Sequence, residues 1–138
     1  MNRRYMLDTN TVSYIIKGKS PAARRKLAEL RHGDIACISA ITEAEIQYGL
    51  AKSPNTNLLR SAVEGFLAKI QILPWGSEEA QAYGSLRADQ EAAGKPLGNL
   101  DTLIAAHAIS VGAILVTNDK AFLQVPTLPA TVNWAKDL

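Results

Sequence analysis

Short apolar runs alternate along this chain with longer segments whose apolar residues recur at three- and four-residue spacing, the pattern of βα units around a mostly parallel sheet. The first run, Tyr5-Met6-Leu7, ends at Asp8. Val12, Ile15 and Ile16 then keep helical spacing, and Gly18 closes a first helix. Ser20-Pro21 supplies a cap and a first-turn proline for a second helix expected to run to about His32-Gly33. Ile35 to Ile38 reads as the second strand, and Thr42 as the opening of a third helix. From Asn55 to Ile70, the residues Leu58, Leu59, Ala62, Val63, Phe66 and Leu67 mark one apolar face of a helix that should pack on the sheet. Ile70 to Leu73 before Pro74 predicts a third strand, and Ser77 caps a helix stopping near Gly94. Leu103, Ile104, Ala108 and Val111 give a helix ending at Gly112, followed by Ala113 to Val116, the clearest buried strand. The tail from Pro126 to Leu138 offers only an edge strand.

At 138 residues and 47% hydrophobic content, the chain is expected to form a single domain over residues 1–138 with one sizeable core. No apolar run approaches the ~20 residues of a membrane span, and the start resembles no signal peptide, so a cytoplasmic location is expected. Cys37 is the only cysteine, which excludes an intrachain disulfide and a thiolate-rich zinc site and leaves a buried structural thiol. The net charge of +2 is compatible with a polyanionic partner without demonstrating one. Lys17, Lys19, Arg24, Arg25, Lys26 and Arg31 crowd one stretch, which reads either as a solvated helix face or as a phosphate-tracking patch.

Position makes the acids informative. Asp8, the pair Glu43/Glu45 and Asp119 each lie just beyond an apolar strand run, and in an open parallel sheet those ends share the edge where ligands bind. Asp101 instead follows the turn from Pro96 to Leu100 and starts a helix, so the pattern alone leaves open which edge it joins. Each acid also has a purely structural reading. Asp8 or Thr9 could cap a helix, Thr42 to Glu45 fits a capping box, and Asp101 suits the positive end of a helix dipole. Together, several anions at one edge repel unless a cation neutralises them. Magnesium prefers hard oxygen ligands, keeps several waters and takes one or two direct carboxylates, which points to phosphodiester hydrolysis. Glu43 and Glu45 point about 200° apart on a helix, so one of them serves, and periodicity does not choose. Thr117-Asn118-Asp119 offers a hydroxyl, an amide and a carboxylate for direct or water-mediated contact.

His107 lies on the apolar face of its helix and reads as a core histidine, while His32 is expected beside helix-terminal carbonyls. There is no nucleophilic triad motif and no Gly-rich phosphate loop, which removes support for an NTPase. An aspartyl-phosphate phosphatase using Asp8 is disfavoured, because Asn10 stands where the second acid belongs.

In order along the chain, Met6-Leu7-Asp8-Thr9-Asn10, Ile38 to Glu45 with Tyr48-Gly49, Gly94 to Asp101 with Ile104 to Ala108, and Val116-Thr117-Asn118-Asp119 resemble the PIN domain. More narrowly, with the Asn133-Trp134 tail, they are similar to the VapC toxins of bacterial toxin–antitoxin pairs. The resemblance implies an α/β PIN fold, with a mostly parallel four- to five-stranded sheet flanked by helices on both faces. It also implies a magnesium- or manganese-dependent endoribonuclease that cuts structured RNA, initiator tRNA in its anticodon loop above all. By position Asp8, Glu45 and Asp101 match the three family acids and Asp119 the more variable fourth, which selects Glu45 and leaves Glu43 to the surface. The same resemblance implies a homodimer and inhibition by a VapB antitoxin lying across the active groove, with DNA bound only through the antitoxin. The competing expectation is a non-catalytic module whose acidic groove docks a basic partner segment.

Overall fold

Residues 2–53 and 57–138 are described in the structure, a computed structural model. The elements run β1 (Arg4–Leu7), α1 (Thr9–Ile16), α2 (Pro21–Ala28), β2 (Ile35–Ser39), α3 (Ala40–Lys52), α4 (Asn57–Lys69), β3 (Gln71–Leu73), α5 (Ser77–Ala92), α6 (Asn99–Val111), β4 (Ile114–Val116), a 3-10 turn (Lys120–Gln124) and β5 (Thr131–Val132). The strands form one sheet in the order β3-β2-β1-β4-β5, and every neighbouring pair is parallel. The α/β reading of the pattern is borne out, with the tail supplying the parallel edge strand β5.

Alternation along β1 divides the core. Met6, Cys37 and Leu115 point to one face and pack with Leu86 of α5, Ile104 and Ala108 of α6, and Phe122. Leu7, Ile38 and Val116 point to the other, against Val12 and Ile15 of α1, Ala23 of α2, Ile46 of α3 and Val63 of α4. Helices therefore cover both faces, as parallel sheets require. Cys37 is fully buried, and burial pushes its thiol up to about 11, so it is an inert core group.

The strand order explains where a ligand belongs. The chain moves outward from β1 to β2 and β3, then crosses back to lay β4 and β5 on the other side of β1. Connections leave the C-terminal ends of β1 and β4 in opposite directions, which opens the crevice of a topological switch point there.

Several boundaries depart from expectation. The second helix ends at Ala28, because the chain spends residues 31–34 on a reversal into β2. In that reversal Asp34 N–H bonds to Arg31, and the Asp34 carboxylate accepts from Arg3 N–H at 3.0 Å. His32 is consequently exposed and not beside a helix end. The third helix begins at Ala40, two residues before Thr42, since the Ser39 hydroxyl accepts from Ile41 N–H at 3.1 Å and captures the first turn. Ser77 is the first helical residue, with Gly76 as cap, and Glu79 accepts from Gly76 N–H at 2.9 Å. Leu58 is 84% exposed although Leu59, Phe66 and Leu67 pack inward, because successive helical residues point about 100° apart and Leu58 falls off the packed face. Asn55 lies outside the described residues. The tail is tied down by Asp137, which accepts from Ser20 Oγ at 2.6 Å and from Ala22 N–H at 3.1 Å at the start of α2.

Candidate active site

Asp8 leaves β1 with its N–H donating to Val116 O at 3.0 Å, so the ladder continues one residue beyond the strand. Its carboxylate accepts from Thr11 N–H at 2.9 Å and caps α1. The structural reading of Asp8 is thus correct and incomplete, because a cap uses only part of a carboxylate's accepting capacity. Asp8 is 4% exposed. Burial raises its pKa, the Thr117 hydroxyl and the Thr11 N–H and hydroxyl pull it back, and the charge of Asp119 raises it further.

Asp101 sits in the first turn of α6. That helix feeds directly into β4 through Gly112, whose left-handed φ of 67° closes it. A helix entering a strand this way runs antiparallel to it and starts at the strand's C-terminal edge, which settles the edge that Asp101 joins. Burial raises its pKa, followed by the charges of Asp119, Asp8 and Glu45. Asp101 thus feels the charges of the other three acids.

Glu45 projects from the second turn of α3 toward β1, where Thr9 Oγ1 donates to its Oε1 at 2.5 Å. Thr9 also meets Thr42 Oγ1 at 3.4 Å. Glu43, two residues earlier, has no such partner among the described residues and is half-buried instead of standing on the open surface. Asp119 follows β4, and its Oδ1 caps the 3-10 turn through Ala121 N–H at 2.9 Å. The turn is held chiefly by Phe122, 1% exposed, whose burial contributes about 2–3 kcal/mol against about 1 kcal/mol for the cap. Thr117 connects the two strand ends: its hydroxyl bonds to Asp8 and its Oγ accepts from Asp119 N–H at 3.0 Å. Asn118 makes no side-chain hydrogen bond among the described residues.

The donor set is all oxygen, with carboxylates and hydroxyls but no thiolate or free imidazole. Among the described residues, no group of three His, Cys, Asp or Glu side chains is placed to hold a metal ion. Magnesium takes one or two direct carboxylates with retained waters, and carboxylate oxygens are the donor chemistry that ion prefers. His107 is fully buried with Nδ1 2.7 Å from Ser39 Oγ, as expected of a core histidine, but its Nε2 has no partner among the described residues. Burial lowers its pKa, while Glu79 raises it.

The basic stretch does not join the acids. Lys17 begins it at the far end of α1, about 12 Å along that helix from Asp8, and Arg24 donates to Ile15 O at 2.6 Å. Two cavities, of 780 Å³ between α2, α4 and the sheet and of 750 Å³ beside Arg3 and Trp134, contain none of the four acids. Sequence reasoning missed Thr9, Thr11 and Ser39 as supports. Their signal was the hydroxyl residue within three positions of each strand-end acid or helix start.

Comparison with known proteins adds to this geometry. A PIN domain profile matches residues 5–128. The chain is similar to the tRNA(fMet)-specific endonuclease VapC of Shigella flexneri, 41% identical over 135 residues that cover 96% of this chain and 98% of the relative. It is similar to Ribonuclease VapC2 of Rickettsia felis, 38% identical over 133 residues with the same coverage. Among solved structures, VapBC2 from Rickettsia felis bound to a DNA fragment from its promoter superposes with a TM-score of 0.89 at 37% identity, covering 95% of this chain and 98% of that one. DNA-bound VapBC from Salmonella typhimurium gives 0.87 at 34%, covering 96% and 98%.

Proposed function

We propose, from the premise that this chain belongs to the PIN domain family and within it to the VapC-type ribonuclease toxins, that it is a magnesium-dependent endonuclease acting on structured RNA. Its substrate in this reading is initiator tRNA, cut in the anticodon loop, the substrate class that the name of the Shigella flexneri relative carries. The whole chain, 1–138, acts as one domain.

The observation that supports this most is the gathering of acids at the switch point: burial, and then the charges of Asp119, Asp8 and Glu45, raise the pKa of Asp101, and burial raises that of Asp8. Asp8 and Asp101 are the ligands for magnesium or manganese, and Glu45 and Asp119 complete the pocket. When bound, such an ion supplies charge neutralisation at a phosphoryl oxygen and eases deprotonation of a water. Thr9 holds the Glu45 carboxylate, and Thr117 fixes Asp8 against Asp119. Glu45 and Asp119 orient the attacking water. Lys and Arg side chains around the edge hold phosphates, setting register without reading sequence.

The partner is a VapB-type antitoxin lying across the acidic edge, with DNA reached only through it, and the active species is a homodimer. Structures similar to this chain are VapBC complexes, two of them bound to DNA. The test is incubation of the purified protein with total tRNA, with and without magnesium, followed by mapping of cut ends. Cleavage in the initiator anticodon loop that stops with a chelator is expected. Intact tRNA under both conditions, together with stoichiometric binding of a basic peptide, would favour the docking-module alternative.

A further inference from the structure

Gln90, in the last turn of α5, lies outside the acidic cluster and is 5% exposed. Its single Nε2 donates twice, to Lys95 O at 3.0 Å and to Gln124 O at 3.0 Å. Lys95 N–H returns to Gln90 O at 2.8 Å, so the lead-in to α6 is fastened to α5 from both sides.

Both segments end on an acid. From Lys95 the chain passes through Pro96 to Gly98 into α6, where Thr102 Oγ1 donates to Gly98 O at 2.8 Å and locks the first turn that presents Asp101. Gln124 closes the 3-10 turn whose opening residue is Asp119. One buried amide therefore ties the segment carrying Asp101 to the segment carrying Asp119, the acid whose charge acts on it most strongly. Two like charges press these segments apart, and Gln90 is a side-chain link that spans both.

We propose that Gln90 is a positioning residue that sets the spacing of Asp101 and Asp119 and thereby the affinity of the acidic edge for a divalent cation. This rests on the metal-dependent reading above. Among the described residues the hydrogen bonds of the Gln90 side chain go only to backbone carbonyls of the two segments, so its loss is expected to act on cation binding and to leave RNA contact unchanged.

The test uses Mn2+ as a spectroscopic probe, with free ion counted by electron paramagnetic resonance against the purified full chain. Gln90→Leu removes both donors at similar volume. It is expected to weaken Mn2+ binding about 10-fold, the low end of what outer-shell losses cost, and to raise the half-saturating magnesium for RNA cleavage by the same factor with KM for RNA unaltered. Ser110→Ala is the matched control. It deletes a buried-side hydrogen bond to Glu79 of 2.6 Å at the opposite end of α6 and is expected to keep wild-type Mn2+ affinity. Wild-type affinity in Gln90→Leu, or an equal loss in Ser110→Ala, overturns the proposal. Failure of the wild type itself to bind Mn2+ overturns both this and the metal reading, whereas a binding wild type with an unaffected variant overturns this alone. Should Gln90→Leu not fold, Gln90→Glu, which places an oxygen where the donor was, is measured in its place against the same outcomes.

Discussion

Asp8 and Glu79 are both acids with less than a tenth of their surface exposed, 4% and 8%, and both sit at the start of a helix, yet their chemistry differs. Glu79 accepts from Ser110 Oγ at 2.6 Å and Gly76 N–H at 2.9 Å, and these bonds hold its carboxyl below the ordinary value. It lies near the surface under close neighbours, so desolvation costs it little. Asp8 has comparable local donors, but deep burial outweighs them and the neighbouring charge of Asp119 adds to the cost. Local hydrogen bonds therefore settle a carboxylate where desolvation is small, and deep burial, with a second anion adding the least, leaves Asp8 raised. Glu79 is a fastening, and the Asp8 edge is left with a demand for positive charge.

The largest expected effect breaks the comparison at its functional end. Asp8→Asn and Asp101→Asn should each lower magnesium-dependent RNA cleavage at least about 100-fold, the upper end of outer-shell losses. Asn caps a helix as well as Asp, so α1 should survive in circular dichroism. Full activity in either variant removes that residue from the ligand set. Next, Glu45→Gln should lower kcat about 10-fold with little change in KM, as expected for a group that orients a nucleophile through hydrogen bonds. An unchanged kcat would return Glu45 to a purely structural role beside Thr9.

At the structural end, Glu79→Ala should leave cleavage of RNA by the folded protein unchanged while costing about 1–3 kcal/mol in urea unfolding, because Ser110 and Gly76 lose their acceptor. A loss of activity beyond the unfolded fraction would show that the two acids are less separable than their surroundings indicate.

The smallest effect concerns pH. For Asp101, ordinarily 3.8, the folded-state value is raised, so the native state holds its proton longer than the unfolded chain. The penalty is fully present at pH 7 and is relieved as the pH falls toward the ordinary value. In chelator, Asp101→Asn should therefore melt above the wild type at pH 7, by about 3 °C for each 1 kcal/mol removed. The gap should narrow toward pH 4. Saturating magnesium at pH 7 should raise the wild type and not the variant. Glu79 gives the opposite slope, its contribution being present above its ordinary value and lost in acid. A gap that widens as the pH falls would contradict the repulsion assigned to Asp101.

Much of the fold was legible because strands and helix ends write themselves locally. Gly18 and Gly112, with φ of 68° and 67°, close the helices that their positions announce. The apolar run that forms β4 proved buried, with Leu115 and Val116 at 0% exposure. Helix starts were read less well, because capping depends on which hydroxyl reaches a free amide. Ser39 sits at the end of a strand and looks like strand until its side chain turns onto Ile41. The choice between Glu43 and Glu45 needed the family pattern at first. In the fold Thr9, thirty-six residues away, donates to Glu45, and Glu43 has no such partner among the described residues.

The order of apolar runs, the acids at their ends and the absence of sulfur ligands were properties of the chain alone, since each depends on residues close in sequence. Whether Asp101 shares an edge with Asp8 depended on the direction of α6, and how Asp119 is held depended on Phe122 entering a core built from other elements. Those are long-range matters. Periodicity specifies which face of an element is buried, but only the packed sheet, with β4 laid against β1, decides which distant charges must live beside one another.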